Sequence, residues 1–98
     1  MITYAFRGIT LPQHLKESLD AYWMTGRPLG GFLQAVVDND LRKACALADE
    51  ENAPIIHVIL GYLYNECALG SWGFAGAHEK WITKKRNEGI SAPVTIAK

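Results

Sequence analysis

The sequence predicts a mainly all-α protein, a compact bundle of four to five helices with room for short terminal β-strands. Apolar residues recur at helical spacing in several separate segments. Prolines and glycines punctuate those segments where helices start and stop. The most apolar run, over 55–64, is interrupted by His57 and Gly61, so it reads as a buried helix and not as a membrane span.

Taken in order, residues 2–7 alternate, with Ile2, Tyr4 and Phe6 on one face, as in a short half-buried strand, and Gly8 ends it. Thr10 with Gln13 forms a capping box and Pro12 suits a first turn, so a helix is expected to open there. Its apolar stripe is Leu15, Leu19, Tyr22 and Trp23, with Lys16, Glu17 and Asp20 outward and Gly26 as the C-cap. Pro28 takes a first helical position for a second stripe of Leu29, Phe32, Leu33, Val36 and Val37. Leu41, Ala44, Cys45 and Ala48 continue that spacing. Whether 29–48 is one helix or two stays open, with Asp38-Asn39-Asp40 favouring a break near Asn39.

An acidic connection over 49–53 leads to a helix over 54–68, capped by Asn52, with Pro54 in its first turn. Apolar residues cover most of its circumference, so it is expected to be the buried centre, and Gly61 lets a neighbour come close. The segment Gly70-Ser71-Trp72-Gly73-Phe74-Ala75-Gly76 reads as a loop whose aromatics cannot all be solvated. A last helix over about 77–87 turns Trp81 inward and stops at Gly89. Residues 90–98 are read as a flexible tail or a short strand through Val94 and Ile96 that could pair with residues 2–6.

With 98 residues and 49% hydrophobic content, the chain reads as one helical domain over 1–98. A core of this size is modest, which makes a homodimer an expected way to extend it. The formal net charge of zero excludes the strongly basic balance of a protein held on nucleic acid by many phosphates. Cys45 and Cys67 fall inside apolar helical patterns and are expected to be reduced core residues of a cytoplasmic protein. No membrane association is expected.

Little in the sequence points to chemistry. The isolated cysteines and His14, His57 and His78 lack metal-ligand spacing, so neither metal nor cofactor is expected. A thiol–imidazole pair of Cys45 or Cys67 with His57 has no supporting pattern, and no set of nucleophile, base and oxyanion donors can be drawn. The chain is therefore read as not an enzyme. Gly30 and Gly31, costly in a helix's first turns, suggest close backbone packing or contact with another chain.

Charge is segregated despite the zero total. Residues 38–66 carry a local excess of four negative charges and residues 79–98 an excess of three positive ones. Candidate partner-binding residues are Arg27, Gly30 and Asn39 around the second helix, the acids Asp49, Glu50 and Glu51, and the loop aromatics Trp72 and Phe74. The alternative is a small nucleic-acid-associated protein whose last helix offers Lys80, Lys84, Lys85 and Arg86 to phosphates, with Trp81 as a stacking ring. The acidic middle opposes that alternative.

The run Arg7-Gly8-Ile9 to Pro12, followed by Gly31-Phe32-Leu33-Gln34-Ala35-Val36-Val37, Asn39-Asp40-Leu41, Ala48-Asp49-Glu50-Glu51-Asn52 and Tyr64-Asn65-Glu66 before Trp72-Gly73, resembles a group of small uncharacterised phage and prophage accessory proteins. The resemblance covers residues 7 to about 82, and Phe74 to His78 depart from the Ser-Pro start of that group's last helix. It implies an origin in a mobile element, expression in the cytoplasm of a bacterial host cell, and no assigned activity. Small phage accessory proteins often bind a host protein or protein complex, including defence systems such as CRISPR-Cas, and an inhibitor of that kind is the expectation by analogy of class.

Overall fold

A computed structural model describes residues 3–97, and the side chains of residues 3–88. It begins with a hairpin instead of a single strand. Arg7 and Gly8 both take positive φ, 53° and 81°, the pair of conformations a two-residue hairpin turn demands. They join β1 (Ala5–Phe6) to an antiparallel β2 (Ile9–Thr10), with Phe6 opposite Ile9. The strand expected over 2–7 is thus two residues long, and Ile2 lies outside the described residues.

Thr10 pairs with Ala5 and does not cap a helix. The Leu11 amide reaches back to the Tyr4 carbonyl at 2.7 Å, and a residue before proline is itself steered to extended backbone. Helix α1 (Gln13–Thr25) therefore starts only after Pro12, whose carbonyl accepts from the Leu15 and Lys16 amides at 3.0 and 3.1 Å. Its stripe of Leu15, Leu19 and Tyr22 is buried. Gly26, at φ 82°, closes it by donating its N–H to the Tyr22 carbonyl at 2.8 Å.

Pro28 does not open the next helix. Leu29 is drawn into the core, where its N–H donates to His78 Nε2 at 3.0 Å, and α2 (Gly31–Val37) begins after Gly30. The open question over 29–48 resolves into two helices. Asn39 turns the chain at φ 61°, and Asp40 then caps α3 (Leu41–Leu47) by accepting the Lys43 N–H at 3.1 Å.

The acidic connection is a turn in which Asp49, not Asn52, supplies the side-chain oxygen, accepting the Asn52 N–H at 2.7 Å. A 3-10 turn (Ala53–Ile55) feeds α4 (Ile56–Glu66), which ends two residues before the expected Ala68. Val58, Ile59, Tyr62 and Leu63 of α4 are buried, so the helix is central as expected, but Leu60 and Tyr64 are exposed. Gly61 explains how the hairpin docks: a Cβ there would stand 2.9 Å from the Phe6 ring. The ring occupies the space a side chain would need.

The loop after α4 bends at Gly70, Gly73 and Gly76, all with positive φ. It is pinned at two points. The Gly73 N–H donates to the Val37 carbonyl at 2.7 Å, and the buried Tyr22 hydroxyl donates to the Ser71 carbonyl at 2.7 Å. Helix α5 (Ala77–Ala97) follows and runs through Gly89, against the expected stop there. One glycine costs a helix only about 1 kcal/mol, too little by itself to end it. The tail or strand expected over 90–98 is helix as far as Ala97, and β1 pairs with β2 instead. Trp81 is buried and its indole N–H donates to the Trp23 carbonyl at 3.1 Å, fastening α5 to the end of α1. The architecture is mainly α, and no described helix is long and apolar enough to cross a membrane.

Candidate functional site

Exposed apolar residues gather over α3 and the outer side of α4. Helix α3 buries Ala44 alone, leaving Leu41 66% and Leu47 49% exposed. Leu41, Ala44 and Leu60 share one shallow groove with Asn39. Leu60 and Tyr64 are one turn apart on α4, so they extend the same face. Tyr64, 77% exposed, meets the half-buried Trp72 edge-on, with ring centroids 6.5 Å apart. The Gly73–Val37 hydrogen bond holds this loop against the end of α2. The result is a strip from Leu41 through Leu60 and Tyr64 to Trp72, with charged Asp40, Arg42 and Lys43 exposed beside its α3 end.

The residues singled out in the sequence are distributed over several surfaces. Asn39 and Trp72 belong to the strip. Arg27 and Gly30 instead meet His14 and Glu17 in a separate cleft of about 340 Å³ between α1 and the connection to α2. Asp49, Glu50 and Glu51 are exposed in the turn beyond α3. Phe74 is 38% exposed, with the Lys80 ammonium 5.9 Å from its ring centre. No close packing accounts for Gly30 and Gly31: a Cβ on Gly30 would meet nothing within 4 Å, and one on Gly31 only Leu47 Cδ1 at 3.5 Å.

Leu41, Leu60 and Tyr64 are absent from the sequence-based contact candidates, because helical spacing reads Leu41 and the apolar run of α4 as core. The signal for α4 was present, since a helix apolar on nearly all sides cannot be covered completely in so small a domain.

The basic residues of α5 are partly engaged. Lys84 and Lys85 place their ammonium groups 5.0 and 5.1 Å from the Trp81 ring centre, and Lys85 also pairs with Glu88 at 3.4 Å. Trp81 is buried, so its ring is no stacking platform for a base. Lys80 and Arg86 remain exposed.

Asp20, read as an outward residue, is instead the hub of a polar network between α1 and α4. Its Oδ1 accepts from Trp23 Nε1 at 3.1 Å and from the Tyr62 hydroxyl, and its Oδ2 from Lys16 Nζ at 2.8 Å. Burial works to raise the Asp20 carboxyl, but the hydrogen bonds from Lys16, Tyr62 and Trp23 outweigh it and hold the group below its ordinary 3.8. The Tyr62 hydroxyl is pushed up, first by burial and then by its bond to Asp20.

The two cysteines differ in burial. Cys45, expected in the core, is exposed, because α3 turns only Ala44 inward. Cys67 is buried, and desolvation with the nearby Asp20 and Glu66 charges pushes its thiol up to about 12, away from the reactive thiolate. His57 packs at the Phe6 ring, with centroids 6.4 Å apart. Among the described residues no group of three or more His, Cys, Asp or Glu could hold a metal ion. The chain matches no protein-family model, and neither a curated protein nor a solved structure matches it.

Proposed function

We propose that this chain is a non-enzymatic, phage-type accessory protein that works by stoichiometric binding of a host protein or protein complex. The observation that carries the reading is the strip from Leu41 to Trp72. Its members are large and adjacent along α3, α4 and the following loop, with Leu41, Leu60 and Tyr64 exposed and Trp72 half-buried. Exposed apolar surface of this kind, beside charged residues, marks interaction sites more often than accident. Tyr and Trp at its far end are the residue types that dominate interface energetics. The resemblance to phage and prophage proteins supplies the class of partner, a bacterial protein, with defence machinery such as a CRISPR-Cas complex as the leading kind.

The test is affinity capture from bacterial lysate with the native chain and with a Leu41→Asp, Tyr64→Asp double variant, both shown to be folded by circular dichroism. The native chain is expected to retain a protein in fixed stoichiometry that the variant releases. The mass of the isolated chain in solution separates a second copy from a foreign partner on the strip. Retention of the same protein by native chain and variant alike would sink this assignment.

A further inference from the structure

Tyr62 lies two residues from both Leu60 and Tyr64, so it faces the opposite side of α4 from the strip. There it walls a cleft of about 360 Å³ between α4, α1 and the start of the chain. The walls are rich in rings. Tyr4 stands edge-on to Tyr62 with centroids 4.9 Å apart, Trp23 lines the α1 side, and Met24, 54% exposed, forms part of the rim.

The charges in this cleft are not equally available. Asp20 has both oxygens occupied by Lys16, Trp23 and Tyr62. Lys16 is engaged with Asp20 at 2.8 Å and lies 5.6 Å from the centre of the Tyr62 ring. Glu66, exposed at the end of α4, lines the same cleft and makes no ion pair among the described residues. An incoming anion would meet two carboxylates and only one ammonium, already neutralised. A cation would meet the half-buried Tyr4 and Trp23 rings, whose quadrupoles attract it, and an uncommitted carboxylate, while the buried Tyr62 ring is already taken by Lys16. The protein's own Lys16 shows the mode, an alkylammonium held between a ring and an acid.

We propose that this cleft binds an organic cation, an alkylammonium or guanidinium group, whose charge pairs with Glu66 while its carbon chain lies against Tyr4, Trp23 and Met24. The group can belong to a basic side chain of a partner or to a free amine. The site is independent of the apolar strip, and its test does not require the strip's partner.

The experiment follows the assigned Trp23 indole N–H signal of the full chain by NMR during titration with n-butylammonium chloride and with arginine blocked at both ends. Sodium butyrate and sodium chloride at equal ionic strength serve as controls. Both cations are expected to move the signal saturably, and neither control to do so. Glu66→Gln, a change at an exposed helix end that leaves the core untouched, is expected to weaken binding by about fivefold, the scale of one partly screened ion pair. If blocked arginine binds about tenfold tighter than the amine, the group is a guanidinium; the reverse order assigns an alkylammonium, and blocked lysine against the free amine then separates a partner's side chain from a small amine. No saturable shift, an equal response to butyrate, or unchanged binding by Glu66→Gln would overturn the proposal.

Discussion

Helices α1 and α3 carry similar sequence signals and meet opposite fates. Both have apolar residues at helical spacing, yet α1 buries Leu15, Leu19 and Tyr22, while α3 buries Ala44 and leaves Leu41 and Leu47 in solvent. The reason lies in their neighbours. Helix α1 is enclosed by α4 through the Asp20–Tyr62 contact and by α5 through the Trp23–Trp81 hydrogen bond. Helix α3 rests mainly against α2, and no described element covers its other side. Apolar periodicity says which residues share a face; what lies opposite decides whether that face is core or contact surface.

The largest effect is expected on the closed side. Leu19, fully buried, replaced by alanine should lower stability by about 2–5 kcal/mol, read from the midpoint of urea unfolding. His78→Ala comes next, at about 2–3 kcal/mol, because it leaves the buried Leu29 amide without an acceptor and removes a ring stacked on Tyr22 at 5.4 Å. Accelerated hydrogen exchange at the Leu29 amide would locate the damage at the α1–α2 connection. A His78→Ala protein as stable as the native one would show that this connection holds without the imidazole.

Asp20→Asn should cost about 1–2 kcal/mol at neutral pH, and less as the medium is acidified. The folded-state pKa of Asp20 is depressed, so its stabilising contribution is present above the ordinary value of 3.8 and is lost as pH falls through the folded value. Stability curves of native and variant protein should therefore converge below pH 3.8. Curves that stay parallel well below that pH would remove Asp20 from the network's energetics. On the alkaline side, the raised Tyr62 hydroxyl works in the other sense, with its contribution kept below 10.0 and lost as pH rises beyond it.

The smallest effect belongs to the open side. Leu41→Ala should change stability by no more than about 0.5 kcal/mol while weakening capture of the partner. The pair Leu19→Ala and Leu41→Ala makes the same chemical change on α1 and α3. Equal losses of stability from the two would abolish the contrast and return α3 to the core.

Much of the frame was legible in the sequence because its signals are local. The stripe Leu15–Leu19–Tyr22, the αL termination at Gly26 and the turn at Asn39 each depend on residues within one or two turns. Gly61 was legible too, as a notch in an apolar helix, although not what fills it. The misses have distant or competing causes. Asp20 looks solvated until Tyr62, far along the chain, delivers a donor to it. Thr10 has the right partner for a capping box, but pairing with Ala5 removes it from the helix start. Cys45 sits on an amphipathic pattern whose inward side is narrow enough to hold only alanine. Of the candidate contact residues, Asn39 and Trp72 were found by their types, whereas Leu41, Leu60 and Tyr64 share the signature of core residues and are distinguished only by what the fold leaves uncovered.

The Phe6 ring seated at Gly61 also sets an order of events. The two residues are separated by all of α1, α2 and α3, so closing their contact carries a large loop entropy and brings little reward until α4 is in place. The hairpin should therefore latch after the rate-limiting step. Shortening the ring with Phe6→Leu is then expected to quicken unfolding and leave the refolding rate nearly unchanged, which makes this latch a control on how long the native state persists instead of how fast it is reached.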